Sequence, residues 1–73
     1  MTEYTVMLNW DDEAQKWYCT SDDIPGLILE SDSLDVLVER ARHAAPELLE
    51  LMGYDPANAS LLFKAERHAA VFA

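Results

Sequence analysis

Hydrophobic and polar residues alternate along residues 4–10, which is the pattern of a half-buried β-strand. One face of this strand would carry Tyr4, Val6, Leu8 and Trp10. Residues 16–20, with the sequence KWYCT, are rich in aromatic and β-branched side chains and predict a second strand. Because a short polar segment with two turn-forming aspartates separates the two runs, the pattern predicts a β-hairpin.

A proline–glycine pair follows the second predicted strand, within the sequence SDDIPGL of residues 21–27. Pro25 and Gly26 suit the two central positions of a type II turn, the second of which requires a positive φ. The apolar residues after this turn predict a third, buried strand over residues 27–31. Since this strand follows the turn so closely, we expect the first three strands to form an antiparallel meander.

Apolar residues then recur at helical spacing over residues 34–52, which predicts an amphipathic helix. Ser33 is the expected N-cap, because Asp35 then lies in the first turn, where the helix dipole favours a negative charge. Pro46 interrupts the pattern and, inside a helix, costs about 3 kcal/mol. Either the helix continues with a kink or Pro46 begins a second helix; the apolar stripe stays in phase and favours the kink. Gly53 suits the position just after the helix.

The last part of the chain is ambiguous between strand and helix. Residues 61–66 alternate between apolar and polar and predict a fourth strand, which we extend to Phe72. Residues 64–70 also have a composition that favours a helix. With the strand adopted, the order β-β-β-α-β predicts an α+β fold in which an antiparallel sheet carries one helix on one face. We expect one domain over residues 1–73.

The composition predicts self-association. A chain of 73 residues buries only about 60% of its unfolded surface, yet 51% of these residues are hydrophobic. We therefore expect a homo-oligomer, in which further apolar surface is buried. The sequence has no apolar run long enough to span a membrane and no signal-peptide core. The single cysteine, Cys19, cannot form an internal disulfide, so we expect a cytoplasmic location.

The charge balance narrows the class of partner. Five Lys and Arg residues stand against fourteen Asp and Glu residues, which gives a net charge of −9. Direct binding to nucleic acid is disfavoured, because phosphate contacts require a basic surface. A strongly acidic domain suits a small basic protein. The alternative is that the acidity serves only to keep the protein in solution.

The sequence offers no pattern that predicts catalysis. The acidic clusters at residues 11–13 and 22–23 lack the spacing of a calcium-binding loop, so we expect no metal site. Cys19 lies within an apolar strand and, without a motif that would orient His43 or His68 toward it, is expected to be a buried, inert thiol. The chain has two glycines and no phosphate-binding loop. We expect a protein that is not an enzyme and uses no cofactor.

The candidate partner-binding residues belong to the two acidic turns and to the strand between them. The turns carry Asp11, Asp12, Glu13, Asp22 and Asp23. Trp17 and Tyr18 lie in the intervening strand, where aromatic side chains either pack in a small core or anchor a partner. We expect the charges to form an acidic rim around the two aromatic residues.

Three stretches taken in order resemble the HicB-like antitoxin family: YTVMLNWDDE at residues 4–13, WYCTSDDIPG at 17–26 and ESDSL at 30–34. The sequence PELLE at residues 46–50 resembles a short branch of that family with no assigned activity. This resemblance implies a partial ribonuclease-H-like sheet with one helix and no working catalytic carboxylates. It also implies that the domain neutralises a small basic mRNA-cleaving toxin, HicA, by covering its RNA-binding face.

Many members of the HicB-like family carry an additional DNA-binding module after this domain. The 73 residues leave no room for one, so we do not expect operator binding. The second hypothesis is a homo-oligomeric structural or small-ligand-binding protein that acts without a toxin partner.

Overall fold

The computed structural model describes residues 1–72, and it has the predicted order β-β-β-α-β. The elements are β1 (Thr2–Asp11), β2 (Lys16–Thr20), β3 (Leu29–Ser31), α1 (Leu34–Leu51) and β4 (Ala59–Glu66), with a 3₁₀ turn at Pro56–Asn58 before β4. The prediction of an α+β fold is confirmed.

The four strands form one mixed sheet in the order β3-β2-β1-β4. The first three strands are the predicted antiparallel meander, but β4 pairs with β1 in parallel, so the prediction of a wholly antiparallel sheet is wrong. Two reversals leave β3 running in the same direction as β1. Because α1 then returns the chain across the sheet, β4 starts from the same end as β1, which is the usual connection between parallel strands.

The core lies between α1 and one face of the sheet. The alternation predicted in β1 is confirmed, and the buried residues are Tyr4, Val6, Leu8, Cys19, Ile24, Leu27, Leu37, Ala41, Ala45 and Leu49. On α1 the buried residues follow a strict four-residue spacing, which brings them onto one stripe. Leu49 belongs to this stripe, whereas Met52, the last residue of the predicted helix, is the C-cap and is exposed.

The proline–glycine turn forms as predicted. The amide of Leu27 donates to the carbonyl of Ile24 at 3.2 Å, and Gly26 has a φ of +92°. Both residues that flank this turn are fully buried. The third strand begins later than predicted, because the amide of Ile28 bonds back to the carbonyl of Gly26 at 3.0 Å. Ile28 therefore belongs to the turn and is 72% exposed, not part of a buried strand.

The ends of α1 follow the predicted capping chemistry. The hydroxyl of Ser33 accepts a hydrogen bond of 3.3 Å from the amide three residues along the chain. Pro46 lies inside a single helix, so the alternative of a second helix is wrong. Gly53 follows the C-cap with a φ of +83°, and the amide of Tyr54 donates to the carbonyl of Leu49 at 2.9 Å. These bonds are those of a Schellman motif, which ends the helix.

The fourth strand is confirmed over residues 61–66 and begins two residues earlier than predicted. Its predicted extension to Phe72 is wrong, and the helical alternative does not form either. Residues 67–72, called the arm below, have no regular secondary structure and are exposed. The molecule measures 50 by 19 by 18 Å.

No helix in the described part of the chain combines the length and the apolar character that a membrane crossing requires.

Candidate protein-binding surface

The helix covers one face of the sheet and leaves the other face open. Neighbouring residues of a strand point to opposite faces. The buried residues Val6, Leu8 and Cys19 therefore mark the covered face, which also carries Phe63, the partner of Val6 in β4. The opposite face, called the outer face below, presents Thr5, Met7, Asn9, Tyr18, Thr20, Glu30, Leu62 and Lys64.

Tyr18 is the aromatic residue of the outer face. It lies in β2 between Asn9 of β1 and Glu30 of β3, and it is 38% exposed. The Nζ of Lys16 lies 3.8 Å from a carboxylate oxygen of Glu30 beside it, and both of these side chains are exposed. Tyr18 therefore presents a ring in a surface that combines polar residues with the half-buried Met7 and the exposed Leu62.

The hairpin turn between β1 and β2 is shaped by its own aspartates. The carboxylate of Asp11 accepts bonds of 3.1 and 3.3 Å from the backbone amides two and three residues later. The carboxylate of Asp12 accepts from Nε1 of Trp10 and Nε2 of Gln15, both at 3.3 Å. Glu13 lies at the tip and is exposed. Two of the three acidic side chains in this turn thus also fix its conformation.

The acidic turn after β2 is held against β1 by hydrogen bonds to the backbone of Thr5. The carboxylate of Asp23 accepts a bond of 2.7 Å from the amide of Thr5. The hydroxyl of Ser21 donates to the carbonyl of Thr5 at 2.6 Å and accepts from the amide of Ile24 at 3.1 Å. Asp22 is exposed beside them. The two acidic clusters therefore lie at opposite ends of β2, as the sequence predicted.

Trp17 does not share a face with Tyr18. It lies on the covered side of the sheet, where it packs against the core and contacts Trp10 edge-on at a centroid distance of 5.5 Å. The guanidinium of Arg67 stacks 3.9 Å above the ring of Trp10 and 5.9 Å from that of Trp17, a cation–π arrangement. No local sequence pattern links Arg67 to these rings, because the strand order brings them together.

The chemically reactive side chains are not assembled into a site. Cys19 is fully buried, and this burial raises the pKa of its thiol even though a backbone hydrogen bond at Leu29 and the charge of Arg40 act in the other direction. His43 is exposed on α1. Over residues 1–72, no three His, Cys, Asp or Glu side chains come close enough together to hold a metal ion.

A groove of about 380 Å³ opens between α1 and β4, because the helix lies over β2 and β3. Its apolar walls are formed by Ala45, Pro46 and Leu49 from the helix side and by Ala59, Leu61 and Phe63 from β4. The sequence did not predict this groove, since its existence depends on the placement of β4 at the edge of the sheet beside β1.

Two comparisons with known proteins find similar chains. Residues 3–73 match the family model described as a domain of unknown function, DUF1902. The fold is similar to the crystal structure of hypothetical protein TTHA1013 from the extremely thermophilic bacterium Thermus thermophilus. That match has a TM-score of 0.77 and 33% sequence identity, and it covers 96% of this chain and 100% of the other. No curated protein matches the chain significantly.

Proposed function

We propose that this chain, which belongs to the DUF1902 family of domains of unknown function, is a non-catalytic interaction domain of HicB-like type. It would bind and mask a small basic mRNA-cleaving toxin of HicA type. The proposal is supported by the ordered sequence resemblance over residues 4–52 and by the β-β-β-α-β order of the fold. It includes the assignment of the mixed sheet to the partial ribonuclease-H-like class.

The observation that carries the proposal is the open outer face, with Tyr18 near its centre and an acidic turn at each end of β2. The five residues of β2 span about 17 Å, a width that a small basic domain can cover. The exposed carboxylates of Glu13 and Asp22 would attract the partner. Tyr18 would supply the contact from which water is excluded, as aromatic anchors do in protein interfaces.

The proposed function is binding without chemistry. The carboxylates of Asp11, Asp12 and Asp23 accept hydrogen bonds that hold the two turns, and the thiol of Cys19 is enclosed in the core. Direct binding to nucleic acid is not part of the proposal, because a net charge of −9 opposes contact with phosphate. The toxin would act in the cytoplasm on mRNA, and we place this domain there with it.

Co-expression tests the proposed masking. We expect a neighbouring reading frame to encode a small basic protein, and this protein is the probe. Its expected length is about 60 to 80 residues, a typical small-domain size. When the basic protein is purified together with an equal molar amount of this domain, its cleavage of mRNA should be suppressed. Tyr18→Ala should weaken the inhibition at least about 30-fold, since an interface anchor typically contributes about 2 kcal/mol or more.

Tyr54→Ala is the matched control, because it removes the same ring from an exposed position that packs against Tyr4 on the covered side of the sheet. This variant should inhibit the toxin as well as the natural domain does. The absence of a basic neighbour, or equal inhibition by the Tyr18→Ala and Tyr54→Ala variants, would contradict the proposal.

A further inference from the structure

Two features at the β4 side of the molecule have no partner within residues 1–72: the outer edge of β4 and the apolar residues of the arm. The sheet order ends on β4, so the outer edge of this strand presents backbone groups that no strand in the described part of the chain pairs with. The arm that follows β4 holds Val71 at 88% exposure and Phe72 fully exposed. An unpaired edge next to exposed apolar residues is a template for pairing with another chain.

The arm does not fill the groove of its own chain. The groove lies along the first half of β4, whereas the arm leaves the other end of the strand. An extended chain from Leu61 to Val71 covers about 33 Å. In addition, the contact between Arg67 and Trp10 holds the start of the arm at the far end of β1. The arm therefore leads away from the groove of its own chain and is free to reach a second molecule.

We propose that the groove between α1 and β4 receives the arm of a second copy of this chain. The two β4 strands would run antiparallel around a two-fold axis, and each arm would continue along the first half of the other copy's β4. This arrangement is a self-complementary interface of the kind that closes dimers. It uses strand addition, in which backbone hydrogen bonds supply affinity and side-chain pockets supply specificity.

The side-chain pattern fits this pairing. Leu61 and Phe63 face the covered side of the sheet, and the same alternation, continued into the arm, places Ala69 and Val71 on that side. If Ala65 lies on the two-fold axis, Ala69 comes opposite Leu61 of the second copy. Val71 then comes opposite the small residue Ala59 in the groove. The apolar residues of the arm thus meet the apolar walls of the groove.

The charges also fit a second copy. With Ala65 on the axis, Lys64 of each chain lies opposite Glu66 of the second copy, which makes two pairs of opposite charge. A shift that placed Glu66 opposite its own counterpart would bring like charges together, which destabilises strand pairing. The β4 edge and the arm carry Lys64, Glu66 and Arg67, so this part of the molecule is not acidic although the chain as a whole has a charge of −9.

Dimerisation at the edge of the sheet leaves the outer face and Tyr18 uncovered. The inference is therefore independent of the proposed masking of a toxin, and the two are tested separately.

Sedimentation equilibrium at millimolar concentration tests the dimer. We expect twice the chain mass of 8.3 kDa. Val71→Lys should convert the protein to a monomer, because it places a positive charge in a groove that Arg42 also lines. Its circular dichroism should stay unchanged, because the residue is exposed in one chain. Leu51→Lys is the control: it also replaces an exposed apolar residue with lysine, but on α1, and should leave the dimer mass unaltered.

Cross-linking tests the register. Chains with Leu61→Cys are mixed with chains carrying Ala69→Cys and treated with a short bis-maleimide, toward which the buried Cys19 is unreactive. Cross-linked pairs should form, and a mixture of Leu61→Cys with Leu51→Cys chains should give none above background. A monomeric natural chain, a dimer that Val71→Lys does not weaken, or the same yield from both mixtures would overturn the proposal.

Discussion

The two faces of the sheet are made from alternate residues of the same strands, but they have different compositions and different surroundings. On the covered face Val6 and Leu8 are buried against α1, and the core within residues 1–72 contains no buried polar or charged residue. On the outer face the neighbouring residues Thr5, Met7 and Asn9 are half-buried, and Tyr18 and Lys64 are exposed. The contrast teaches that burial is concentrated on the covered face, and we expect most of the stability to come from there.

The strongest test of this contrast compares the free energies of unfolding of the Leu37→Ala and Tyr18→Ala variants. Leu37 is fully buried where α1 meets the sheet, so its truncation should lower the free energy of unfolding by about 2–5 kcal/mol. Tyr18→Ala should change it by about 1 kcal/mol or less, because the ring remains partly in water. Urea denaturation measures both values. Equal losses would mean that the outer face is as important for stability as the covered face.

Gly26→Ala should have the next largest effect. The φ of +92° at this residue is strained for any side chain, and the substitution should cost about 1–2 kcal/mol. An added Cβ would lie 3.6 Å from Cδ2 of Leu48, an ordinary contact, so the loss would come from the backbone alone. Ala57→Gly, at an exposed site in the 3₁₀ turn, is the control, because it removes a Cβ where Gly26→Ala adds one. Unchanged stability in Gly26→Ala would exclude the proposed strain in the turn.

The buried thiol should give the smallest effect, as a loss of stability at high pH. Burial raises the pKa of Cys19 in the folded protein, whereas the unfolded thiol ionises near its usual pKa of about 8.5. Above that pH the unfolded state releases a proton that the folded state still holds, so stability falls as pH rises. Below it the thiol is protonated in both states and has no effect.

Thermal unfolding between about pH 7 and 10, which brackets the thiol pKa, measures this loss. Cys19→Ala should unfold at a lower temperature throughout, because it leaves a small cavity, but its stability should decline less steeply above the thiol pKa. Identical pH profiles for the two proteins would show that the thiol does not contribute to the alkaline loss.

The features that sequence predicts well are those that depend on local backbone chemistry. Ser33 caps α1, the Pro25–Gly26 turn forms, and Lys16–Thr20 is a strand with the predicted bounds. Each follows from the properties of a few neighbouring residues. The arm shows the limit of this approach, because its alternating pattern resembles a strand but residues 1–72 provide no partner beside it.

The features that the sequence predicted wrongly or did not predict depend on how distant elements meet. The parallel direction of β4 follows from the path of α1 across the sheet, and the stacking of Arg67 on Trp10 follows from the strand order. The separation of Trp17 from Tyr18 is different, since consecutive residues of a strand always point to opposite faces. That signal was present in the sequence and excludes a common aromatic surface.

The association rate between this domain and the small basic partner proposed above tests the central claim, that the acidic turns attract such a partner, most directly. The charges to reverse are those of Glu13 and Asp22, because reversing Asp23 would also break its hydrogen bond to the amide of Thr5. Glu47→Lys on the exposed face of α1 is the control. If the acidic turns attract the partner, the rate should fall steeply as salt rises, and Glu13→Lys with Asp22→Lys should lower it about 10-fold with little change in dissociation. A rate that is constant from low to high salt, or that Glu47→Lys lowers as much as the double reversal, would contradict the proposed role of the acidic turns.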